Sequence, residues 1–148
     1  MTGSVGLLFL AAALSAIALS SFAWRVTRAA SDPERLIGQL RLAQWTALLY
    51  AATGGTWMGL AVTAHADVLA NVDMTLGIAA VVIAGTVLLL EPKTALLTLA
   101  IAFVAHALVD IAHRPGWLSP VIAPQRFIAG CAAYDVYVAA LCFWARGR

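Results

Sequence analysis

Thr94-Ala-Leu-Leu-Thr-Leu-Ala-Ile-Ala-Phe-Val-Ala-His106-Ala-Leu-Val-Asp110-Ile111 is the stretch on which the fold turns. It is apolar almost throughout and carries no Lys, Arg or Glu. As a helix it rises about 27 Å, close to the roughly 30 Å of a bilayer's hydrocarbon core. Its two ionisable side chains are therefore unusual and mark a place to look for function.

The rest of the chain has the same character. Over 148 residues, 63% are apolar and 11% charged, and mean hydropathy is +0.92. A soluble domain is roughly 45–50% apolar and about 25% charged. A soluble chain this small also exposes much of its surface, and too few polar side chains are present to cover it. These values exclude a soluble enzyme, a nucleic-acid module and a disordered tail. The net charge of +2 is too small and too dispersed to suggest a nucleic-acid partner.

Five apolar stretches, near Val5–Trp24, Leu40–Ala64, Val72–Leu90, Thr94–Ile111 and Phe127–Trp144, predict five transmembrane helices. The alternation of a membrane β-barrel is absent, so the expected fold is all-α, a single polytopic bundle. The first stretch is followed, not preceded, by basic residues (Arg25 and Arg28), which predicts a retained helix and not a cleaved leader. Seven basic residues (Arg25, Arg28, Arg35, Arg41, Lys93, Arg146 and Arg148) fall on one side of this topology and two, Arg114 and Arg126, on the other. The positive-inside rule then places the N-terminus outside and the C-terminus inside.

Local signals refine the picture. Ser31-Asp-Pro-Glu-Arg35 reads as a helix start, with Ser31 or Asp32 as cap and Pro33 in the first turn. Glu91-Pro92-Lys93 reads as a tight turn. Residues Pro115 to Pro124 form an irregular loop on the outer side. Gly55 and Gly59 form a small-xxx-small pair, with Gly54 beside them, that predicts close helix packing. Cys131 and Cys142, eleven residues apart in one helix, are separated by about 16 Å, far beyond disulfide reach.

Helix 4 carries His106, Asp110 and His113 within an arc of about 60°. Helix 5 carries Cys131 and Asp135 on one face, with Tyr134 adjacent. Counting depth along antiparallel helices puts His106 level with Asp135, and Asp110 level with Cys131, in a pocket opening outward. His65 ends helix 2 on the same side, at the end of a stripe of Tyr50, Thr53, Trp57 and Ala61. Carboxylates at this depth are expensive, so the cluster predicts a site. As metal ligands, His106, Asp110, His113 and Asp135 suit a divalent transition metal such as zinc, iron or copper. As acid–base groups, His106, Asp110 and Asp135 suit proton transfer on a lipid-like substrate. A proton or metal-ion transporter and an accessory subunit of a larger complex use the same residues differently. A homo-oligomer or a membrane partner fits either.

The C-terminal third resembles a family of small bacterial membrane proteins defined only as a domain of unknown function. The resemblance rests on His106-Ala-Leu-Val-Asp110-Ile-Ala-His113, the Pro115–Pro124 loop and Gly130-Cys-Ala-Ala-Tyr-Asp135, about thirty residues in all. More weakly, Ala51-Ala-Thr-Gly-Gly55 looks similar to a small-residue stretch of that family. The chain departs from the pattern at Arg114, where the family often has a further histidine, and at Val109, where it tends to carry an aromatic residue. Those departures argue against a four-histidine site. The resemblance implies that the polar residues act as a unit in a bacterial inner (cytoplasmic) membrane, and it implies no particular activity.

Overall fold

The computed structural model of the chain describes residues 2–63, 68–113 and 123–147. Among them the regular structure is α-helical, in five elements: α1 (Thr2–Thr27), α2 (Asp32–Thr63), α3 (Val68–Val87), α4 (Pro92–Ala112) and α5 (Gln125–Arg146). Helices α1, α4 and α5 contain stretches long and apolar enough to cross a membrane (Phe9–Thr27, Pro92–Ala112 and Gln125–Arg146). The apolar part of α3, Asn71–Val87, is shorter. In α2, Gln44, Thr46, Thr53, Gly54, Gly55 and Thr56 dilute the apolar content.

The helix starts follow their local chemistry. Ser31 Oγ accepts the Glu34 N–H at 3.4 Å, and Asp32 pairs with Arg35 at 3.3 Å, so α2 begins a full two turns before its apolar stretch. Pro92 opens α4, where its missing N–H costs nothing, and the Glu91 carbonyl accepts the Ala95 N–H at 2.8 Å.

Helices consecutive in the chain alternate in direction. Val26 meets Gly38 across α1 and α2, Gly77 meets Gly54 and Met58 across α2 and α3, and Gln39 Nε2 donates to the Ala145 carbonyl across α2 and α5 at 2.9 Å. The fifth helix closes the bundle against the first, and these two run parallel. Phe9 lies at Gly130, Ser15 Oγ bonds Tyr134 Oη at 2.6 Å, and Ser20 bonds Tyr137.

Helices α2 and α4 supply most of the central core. Leu42, Ala43, Ala47 and Tyr50 from α2 pack on Leu96, Leu99 and Phe103 from α4, with Val138 and Cys142 from α5. A smaller cluster of Trp57, Ala123 and Ile128 covers the other end. Every helix also keeps large apolar side chains exposed, such as Ile17, Trp45, Val82, Leu108 and Phe143. A soluble monomer does not display apolar surface on this scale.

The small-residue packing falls one residue away from the expected pair. Gly55 and Gly59 face open space, whereas Gly54 sits against α3: a Cβ there would lie 2.7 Å from the Gly77 carbonyl oxygen and 2.8 Å from Ala80 Cβ. The helical phase decides it, because the buried stripe of α2 passes through Tyr50, Gly54, Trp57 and Ala61. Gly54→Val should therefore destabilise the bundle by about 1–3 kcal/mol through overpacking, and Gly55→Val should be neutral. Unfolding in mixed detergent micelles separates the two.

Candidate functional site

The four-residue spacing of His106 and Asp110 puts both on the buried stripe of α4, which runs from Ala95 through Leu99, Phe103 and His106 to Asp110. Asp135 reaches them from the buried face of α5. One ligand atom from each of His106, Asp110 and Asp135 lies within 4.8 Å of the others, and all three residues are buried. His106 Nε2 and Asp110 Oδ1 are 3.8 Å apart, too far for a hydrogen bond.

This spacing leaves the cluster unsatisfied. His106 Nε2, both carboxylate oxygens of Asp110 and Asp135 Oδ2 are buried without a hydrogen-bond partner. Unpaired buried polar atoms cost on the order of 1–3 kcal/mol each, and more when charged. Two carboxylates at such separation also repel unless a cation or a proton lies between them. With one ligand atom from each of three residues within 4.8 Å and four polar atoms of those residues unpartnered, the cluster describes a place prepared for a positive charge.

His113 stands apart from this group. It lies seven residues beyond His106, about 10 Å further along the axis. Its Nδ1 donates to the Val109 carbonyl at 2.8 Å, because a carbonyl can only accept. Its Nε2 faces Asp73 Oδ1 at 2.8 Å, and both side chains are buried. With both ring nitrogens engaged, His113 bonds to Asp73 and not to the His106 cluster. The expected four-residue ligand set thus divides into a three-residue cluster and a His–Asp pair.

Trp57 joins the two parts. It stacks on the His113 ring at 4.6 Å and presents its edge toward His106 at 6.3 Å. Tyr50 packs edge-on to His106 at 5.9 Å, while its hydroxyl donates to the Ala102 carbonyl. Both aromatic residues come from the stripe of α2 seen in the sequence. Cys131 is half-buried with a free thiol and lines a small cavity beside Asp135, outside the ligand group. Cys142 is a free, buried thiol in the core. His65, and the Pro115–Pro124 loop up to residue 122, lie outside the described residues.

Asp73 is the residue that sequence reading passed over. At the expected start of helix 3 it looks like a solvated interfacial acid, yet α3 begins four residues earlier and carries Asp73 into the bundle. No sequence signal marked the pairing, because His113 counts out to the outer interface, where a solvated histidine is ordinary.

No family model, curated protein or solved structure matches the chain. The chemistry of the site therefore rests on its own residues.

Proposed function

We propose that this is a five-span membrane protein whose outer half holds a divalent transition-metal centre on His106, Asp110 and Asp135. The observation that carries the reading is the approach of one ligand atom from each of three buried residues to within 4.8 Å, with four polar atoms of those residues unpartnered. A doubly charged cation neutralises the two carboxylates while the imidazole stays neutral, so the buried site as a whole carries no net charge. One nitrogen and two oxygen ligands suit zinc or iron, and copper less strictly. Three protein ligands leave a coordination position open, as in catalytic and not structural zinc sites. A small enzyme acting on a lipid-like substrate fits a centre placed at this depth among apolar helices.

The alternating helix directions and the exposed apolar faces of all five helices support five spans. The seven-to-two distribution of basic residues supports an outside N-terminus and a bacterial cytoplasmic membrane. The buried polar groups of the opposite half, Gln39 and Thr46, are neutral and bond backbone carbonyls. That favours a site serving one membrane face over a proton or ion relay running through the bundle. The resemblance to the bacterial family of unknown function agrees with a functional unit in the C-terminal third.

Two measurements test the reading. Elemental analysis of protein purified in detergent without chelators should find about one transition metal per chain, and a chain that neither carries nor takes up metal overturns the centre. A Lys93→Cys variant lacking the native cysteines should resist membrane-impermeant thiol reagents in intact cells and react in inverted vesicles. Labelling from outside overturns the orientation.

A further inference from the structure

A small cavity of about 90 Å³ lies beside the cluster, bounded by Phe9, Ala12, Thr53, Cys131, Tyr134 and Asp135. Through Ala12, Thr53, Cys131 and Tyr134 it shares walls with a 370 Å³ groove between α1 and α2. Through Ser15 and Leu49 that groove shares walls with a 510 Å³ stretch reaching Phe22 and Trp45. On α2 the groove extends from Thr56 to Trp45, about 17 Å along the axis. It is long and apolar, and at the level of Ala12 and Thr53 it adjoins a cavity that holds a buried acid.

The polar end restricts what fits. The Thr53 hydroxyl already donates to the Leu49 carbonyl at 3.1 Å, and the Tyr134 hydroxyl is engaged with Ser15. Asp135 is 1% exposed and its Oδ2 has no partner. A carboxylate can only accept, so an end group seated beside it, next to the proposed ion, must present a donor to the carboxylate or a lone pair to that ion, and not a second anion. Among the described residues no Lys or Arg lines the cavity or the groove, and Asp110 adds a second acid nearby, so a phosphate-bearing headgroup meets no counter-charge. The cavity is also far smaller than the roughly 300–1,000 Å³ of a site for a drug-sized ligand.

We infer that the α1–α2 groove binds a single-chain lipid with an uncharged, hydroxyl-bearing end, its alkyl chain along the groove and its hydroxyl beside Asp135. This names the substrate class for the centre proposed above and rests on that reading for its chemistry, though not for the binding itself.

The test uses full-length protein in phosphatidylcholine nanodiscs and hexadecanol carrying a diazirine in its chain, with labelled peptides read by mass spectrometry. Labelling should fall on α1 and α2 around Ser15 and Leu49 and be displaced by excess hexadecanol. Hexadecyl phosphate should displace it poorly. Ala12→Phe, which fills the cavity and the neighbouring groove, should lose the displaceable labelling, and Ala13→Phe, outside the lining, should keep it. Metal content, measured on the same samples, should be unchanged in Ala12→Phe, since Ala12 supplies no ligand. Labelling that excess hexadecanol fails to displace overturns the site, as does equal labelling in the two variants. Displacement by hexadecyl phosphate as effective as by hexadecanol overturns the uncharged headgroup. Displaceable labelling in a chain that carries no metal leaves the lipid site standing and removes the metal centre.

Discussion

His106→Ala and Asp135→Asn should each reduce bound metal from about one equivalent to background while the protein remains a folded, monodisperse helical bundle. In the proposed centre, among the described residues, His106 would supply the nitrogen ligand and Asp135 the ligand from α5, so each loss would remove one of three ligands. Asp135→Asn preserves shape and removes charge, which isolates the electrostatic contribution. Asp110→Asn should behave in the same way. Acidification should release metal in the wild type, because protons compete for the same three side chains. If the cluster were only a hydrogen-bonded clasp between α4 and α5, metal would be absent. Each substitution would then cost about 0.6 kcal/mol, the average for intramembrane hydrogen bonds in one well-studied bundle. Full metal occupancy in both His106→Ala and Asp135→Asn overturns the assignment.

The Asp73–His113 pair should respond in the opposite manner, with stability changing and metal binding retained. His113→Leu leaves Asp73 buried without the imidazole, and Asp73→Leu leaves the imidazole without its carboxylate. Breaking a buried pair from one side typically costs about 3–5 kcal/mol. Replacing both partners by apolar residues is often close to neutral, so the double variant Asp73→Leu/His113→Leu should recover most of the loss. Unfolding of the four proteins in mixed micelles gives the coupling directly, and elemental analysis of each should still find about one equivalent. Loss of metal in His113→Leu would instead return His113 to the ligand set. Additive losses would show that the pair does not act as a unit.

Helix number and placement were legible because long apolar runs leave few alternatives to helices, and the Ser31 and Pro92 signals marked two starts. The convergence of His106, Asp110 and Asp135 was legible as well, since helical phase and depth are both counted along the chain. His113 shows where counting stops. Its phase matches His106, but its partner is chosen by α3, and nothing in the sequence of α4 reports how far α3 extends toward it. Gly54 carries the same lesson: three glycines within six residues announce close packing, and only the phase of the buried stripe says which one touches a neighbour. Polar residues in the middle of α2 and the shortness of the apolar part of α3 keep either from standing out as a span by hydropathy alone.

The parallel pairing of α1 with α5 bears on how the chain is made. Because α1 is made before α5, its side chains wait for that helix before they find Tyr134 and Tyr137. About a hundred residues separate them, which at roughly 5–20 residues per second is a delay on the order of ten seconds. During that interval Ser15 and Ser20 need not stand bare in lipid, because each hydroxyl also reaches a carbonyl of its own helix, Ala12 for Ser15 and Ala16 for Ser20. Biosynthesis thus inserts an early helix that is self-sufficient and assembles it late, and a nascent chain halted before α5 should hold α1 only through α2.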